Sequence, residues 1–181
     1  NPDSDVVATI GSITGDFTNN SAFYISSETE PYVEGKGGAI YNEGNIGSIS
    51  GNFISNTTGI DPSVQVMASL DTFTGGGAIF NTGTVDSIDG YFENNSAAAG
   101  GAIYNCSVKS DNSDGTTTFI GGTIGEISGE FNNNFGVMGG AIANYYNATI
   151  DSITADFDFY VRAYKDKLNI KYIRELIAQV D

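Results

Sequence analysis

Side chains able to do acid–base or nucleophilic chemistry are few in this 181-residue chain, and they are poorly assorted. Histidine is absent, which removes the commonest proton shuttle and metal ligand. Asp86, Asp89, Glu126 and Asp151 are the acids a hydrolase could draw on, since that chemistry needs carboxylates converging at a fixed separation. All four sit at polar positions of alternating stretches, where solvated acids are expected. A lyase needs a Lys or Arg base beside metal-binding carboxylates, yet only Lys36 and Lys109 precede residue 156. Cys106 is the single cysteine, so no internal disulfide can form. No nucleophile motif, phosphate loop or calcium-loop spacing is present. No catalytic, cofactor-binding or metal residue is therefore assigned, and a carbohydrate-active enzyme is a remote alternative.

The abundant residues are structural, and they repeat. Ile10-Gly11-Ser12-Ile13-Thr14-Gly15-Asp16-Phe17 returns as Ile46 to Phe53, Val85 to Phe92, Ile124 to Phe131 and Ile150 to Phe157. Three residues after Phe17, Phe53, Phe92 and Phe131 stand Asn20, Asn56, Asn95 and Asn134. A second phrase, Gly-Gly-Ala-Ile-x-Asn, follows each time. It occupies Gly37, Gly38 and Asn42; Gly76, Gly77 and Asn81; Gly100, Gly101 and Asn105; and Gly139, Gly140 and Asn144. Such order means one small unit stacked on itself.

The shortest unit is about two dozen residues, well below the roughly 33 a helix-pair repeat needs. Ile13, Gly15 and Phe17 alternate with Thr14 and Asp16, and period two argues for half-buried strands. Short strands and tight turns in a coil of this size predict a parallel β-helix of about five coils. Its isoleucines and phenylalanines should form interior columns. The paired glycines should allow φ > 0 turns, and the asparagines should stack as amide ladders. A ligand role for those asparagines is the alternative. Polar insertions at 21–36, 57–74 and 106–121 should bulge as flank loops, where binding function concentrates.

The alternation of Gly-Gly-Ala-Ile with Phe-x-x-Asn resembles the repeats of chlamydial polymorphic outer-membrane proteins and related regions of bacterial autotransporter passengers. The resemblance covers roughly residues 10–160. It implies a right-handed β-helix, extracellular or at the cell surface, commonly acting in adhesion. Two departures matter. The chain holds no outer-membrane barrel, and Phe157-Asp158-Phe159-Tyr160 lacks the asparagine, which suggests that the array ends there.

The tail differs. Leu168, Tyr172, Ile173, Leu176, Ile177 and Val180 fall at helical spacing. Residues 1–160 are expected to form the β-helix domain and 161–181 an amphipathic helix that caps the last coil or docks on a neighbour. Charge is as uneven: Lys36 and Lys109 are the only bases of the repeats, and the chain carries −15 overall. That field disfavours nucleic acid and anionic membranes as partners. Calcium could be held loosely by so many oxygens. Triplets Asn-x-Ser/Thr begin at Asn19, Asn56, Asn94, Asn105 and Asn147 and matter only where the source glycosylates. The start at Asn1, without a signal peptide or long apolar run, points to a processed chain or a piece of something longer.

The expected function is a non-enzymatic, secreted or surface-displayed module for adhesion or display, whose partner is a host-cell or extracellular-matrix surface. The alternative is a self-assembling fibre subunit whose partners are copies of itself. No membrane insertion by this chain is expected.

Overall fold

The computed structural model describes residues 7–24, 35–60, 75–111, 116–136 and 138–157. Within them the chain is all-β: three parallel sheets stack in register as a parallel β-helix. The first sheet is made by the repeated phrase: β1 (Thr9–Thr18), β4 (Asn45–Ile54), β7 (Thr84–Glu93), β12 (Thr123–Asn132) and β15 (Thr149–Phe157), in that order. The second holds β2 (Ser21–Tyr24), β5 (Thr57–Ile60), β8 (Ser96–Ala97) and β13 (Phe135–Gly136). The third holds β3 (Ile40–Asn42), β6 (Ile79–Asn81), β9 (Ile103–Cys106) and β14 (Ile142–Tyr145). Each of the first four coils visits the three sheets in turn. An antiparallel hairpin, β10 (Val108–Asp111) with β11 (Thr117–Ile120), is inserted after β9. The tail residues Leu168 to Val180 and the boundary after residue 160 lie outside the described residues.

Identical side chains stack because the register is exact to the residue: Phe17 pairs with Phe53, Phe53 with Phe92, and Phe92 with Phe131. Their rings lie 4.6–4.8 Å apart at 3–6°, which is the strand spacing of a sheet. Ile46, Ile49, Val85, Ile88, Ile124 and Ile127 join the phenylalanines in one core, together with Ile40, Ile79, Ile103 and Ile142 from the third sheet. Burying each such side chain contributes about 1.5–3 kcal/mol.

The alternation expected from Ile13 to Phe17 is present, but the first apolar residue of each phrase falls out of phase with it. Ile46, Ile49 and Phe53 all point inward, at spacings of three and four rather than two. Pairing lapses at Gly11, Gly47, Asp86, Gly125 and Asp151, one residue into each phrase. That residue shifts the phase, so both isoleucines reach the core.

The turns also differ from expectation. Of the paired glycines, only Gly37 has positive φ, at 51°. The corner between the first and second sheets is instead turned by left-handed Asn19, Ser55, Asn94 and Asn133, at φ 51–56°. Asparagine tolerates that region better than most residues. The paired glycines answer a different demand: a Cβ on Gly77 would overlap the carbonyl oxygen of Gly101, and one on Gly101 that of Gly140. Coils approach too closely there for any side chain.

The insertions were expected as loops from their first residue. The first two begin instead with strands β2 and β5 of the second sheet, and the third is mostly the β10–β11 hairpin. Hydrogen-bonding groups on the neighbouring coil recruit these short segments, which carry little local pattern.

Candidate functional site

The eight repeat asparagines point into the coil and are consumed by the fold. In the first ladder the amide nitrogens of Asn20, Asn56 and Asn95 donate to Oδ1 of Asn56, Asn95 and Asn134 at 2.9–3.0 Å. The same oxygens accept the backbone N–H groups of Asn20, Asn56 and Asn95 at 2.9–3.1 Å. The remaining amide proton of Asn56, Asn95 and Asn134 goes to the carbonyl of Phe17, Phe53 and Phe92. The second ladder runs Asn42, Asn81, Asn105, Asn144 at 2.7–2.8 Å. Asn56, Asn81, Asn95 and Asn105 have no exposed surface. Buried amides need such partners, and those of these four are fully used.

Gly38, Gly77 and Gly101 lie between the second and third sheets with backbone of the neighbouring coil against them. They too are structural.

The acids lie outside. Asp86, Asp89, Glu126 and Asp151 are all exposed on the first sheet. Asp16, Glu93, Glu130 and Asp156 share its strands, which contain no Lys or Arg. Among the described residues no group of three or more Asp, Glu or Cys is arranged to hold a metal ion. Asp89, one of the four acids considered for chemistry, borders a concavity. This is an open trough of about 510 Å³ on the outer face of the first sheet. Gly51, Gly90 and Gly129, stacked coil on coil, form its floor. Ser50 and Asp89 form one wall, and Asn52, Tyr91 and Glu130 the other. Hydrogen bonds along the walls hold these rows: Ser128 donates to Asp89 at 2.9 Å, Asn52 donates to Asp16 at 2.7 Å, and the Thr14 and Ser50 hydroxyls lie 3.0 Å apart. The sequence signal for the trough is the glycine of the first four copies, flanked by polar residues; the fifth copy has Ala155 there.

A second surface feature escaped the sequence reading entirely. The x of Ile-x-Asn is Tyr41, Phe80 and Tyr104 in three coils, and these rings stack edge-on outside the third sheet at 5.2 and 5.4 Å. Phe80, Ala99, Tyr104, Cys106 and Ala143 form a satellite core there, so the third sheet is buried on both faces. Burial pushes the Cys106 thiol up to about 11, against a smaller opposing effect of its hydrogen bond with Tyr104. The Tyr104 phenol is raised as well, first by burial and then by the neighbouring thiol. A thiol so protonated is a poor nucleophile. At the edge of this column Lys36 lies 4.7 Å from the Tyr41 ring centre and donates to its hydroxyl at 3.0 Å, and that hydroxyl donates to Glu43.

Among the described residues no helix is long and apolar enough to cross a membrane. No curated protein and no solved structure matches the chain. Residues 15–43 and 89–106 match the family model of the Chlamydia polymorphic membrane protein repeat. The first segment runs from the first-sheet glycine of coil one to the end of its Gly-Gly-Ala-Ile phrase, and the second covers the same parts of coil three. Two coils of this β-helix thus carry a repeat similar to that of the Chlamydia polymorphic membrane protein.

Proposed function

We propose that this chain is a surface-displayed β-helical module that presents binding surfaces for adhesion and carries no catalytic chemistry. The observation that carries this is the repeat itself, similar to that of a membrane protein of the cell surface and wound into a rigid stack. The amide ladders and ring columns fix the scaffold, and the acids on its outer face are solvated rather than convergent. Hairpin β10–β11 is inserted between the third and fourth coils, outside the three parallel sheets. The test is binding of the purified, fluorescently labelled chain to cultured epithelial cells and to immobilised matrix proteins. Saturable binding supports display for adhesion; its absence on every surface removes that reading.

Self-assembly is the second proposal. It is supported by Phe135, Val7 and Ile10, which are 68%, 54% and 47% exposed on the outermost described coils. Light scattering of the full chain at rising concentration separates the two: a constant monomer mass excludes the fibre subunit.

A further inference from the structure

The trough on the first sheet has a chemistry that selects its ligand. Successive outward residues on a strand lie about 7 Å apart, so its two walls stand at that separation and run along the solenoid. Each wall is built from oxygen and amide groups. Tyr91 adds an aromatic ring, and its side chain and that of Glu130 make no hydrogen bond to another described residue. Ionised carboxylates only accept, so the ligand must bring donors. The carboxylates of this sheet, with no cation among them, repel anionic ligands such as phosphorylated or sulfated chains. No apolar side chain other than the Tyr91 ring lines the trough, which leaves nothing for a lipid or an apolar peptide. A basic peptide would pair with Asp89 and Glu130, but these stand on opposite walls in neighbouring coils, and exposed pairs contribute little each. Hydroxyl, amide, carboxylate and aromatic face together match a ligand whose every group both donates and accepts and whose C–H face is flat.

We propose that the trough binds a neutral linear oligosaccharide, seated over Gly51, Gly90 and Gly129 with a sugar ring against Tyr91 and hydroxyls donating to Asp89 and Glu130. This rests on the display reading and names the ligand class for it.

Calorimetric titration of the full chain with hexasaccharides of glucose, N-acetylglucosamine, mannose and galactose tests it, with octa-arginine as the cationic comparison. At least one neutral hexasaccharide should bind, and Tyr91→Ala and Glu130→Gln should each weaken it about tenfold while thermal unfolding is unchanged. Glu43→Gln, outside the third sheet, should leave binding intact. No binding by any neutral saccharide, binding indifferent to both trough variants, or binding of octa-arginine alone overturns the proposal. Cell binding measured in parallel keeps the two readings apart. Cell binding unaffected by Tyr91→Ala leaves adhesion standing without the trough. Saccharide binding without cell binding leaves the trough standing without adhesion.

Discussion

Asn95 shows what a repeat residue does in this fold. Its Oδ1 accepts from the backbone and side chain of Asn56, and its amide donates to Phe53 and Asn134. Removing it leaves several buried groups unpaired at once, so Asn95→Ala should lower stability by roughly 3–5 kcal/mol in urea unfolding. Its neighbour Asn94 holds φ at 54° on the exposed corner. Asn94→Gly should change stability by only a few tenths of a kcal/mol, and Asn94→Val should cost about 1–2 kcal/mol. A ladder that merely decorated the corner would reverse that order. Cys106 gives a pH prediction. The free thiol titrates near 9 and the buried one at about 11. The unfolded chain therefore loses its proton first, and the stability present below pH 9 falls as pH rises towards 11. Urea midpoints across that window should drop less for Cys106→Ala than for the natural chain. Near pH 8 the native thiol should resist iodoacetamide and react once the chain is unfolded.

At the scale of elements, contact between backbones of successive coils decides which glycines can change. Gly77 meets Gly101 and Ser96 backbone atoms, whereas a Cβ on Gly11 meets nothing within 4 Å. Gly77→Ala should cost about 3 kcal/mol or more, near the upper range for overpacking, while Gly11→Ala stays within about 0.5 kcal/mol. Both are read from thermal unfolding. Equal effects would mean that the double-glycine phrase serves turn conformation rather than approach. The phenylalanine column makes the matching apolar case. Phe92 has no exposed surface and stacks on Phe53 and Phe131. Phe92→Ala should cost about 3–5 kcal/mol by the same measurement, and Phe17→Ala less, since Phe17 is only half-buried in the first coil.

At the scale of the whole molecule, −15 charges on a short solenoid oppose compaction. Raising sodium chloride from about 10 to 150 mM shortens the screening length from about 30 to 8 Å, so the melting temperature should rise. With no metal cluster among the described residues, calcium should add no more than magnesium at equal ionic strength. A larger calcium shift would reveal a site. Much of this molecule was legible in the sequence. Fixed spacings of Ile, Phe, Asn and Gly set the coil, because each coil can bury its residues only against an identical neighbour, and like must then stack on like. The acidic exterior followed from composition. Tertiary structure alone decided the rest. The lapse in pairing at Gly47 and its equivalents shifts the side-chain phase by one residue and so sends Ile46 and Ile49 to the same side. The αL corners fell to Asn and Ser rather than to the glycines, since the glycines were already required where carbonyls of adjacent coils nearly touch. The trough and the Tyr41–Phe80–Tyr104 column join residues 24–39 positions apart in sequence. Only stacking in register brings them side by side, and no local pattern records a contact made across coils.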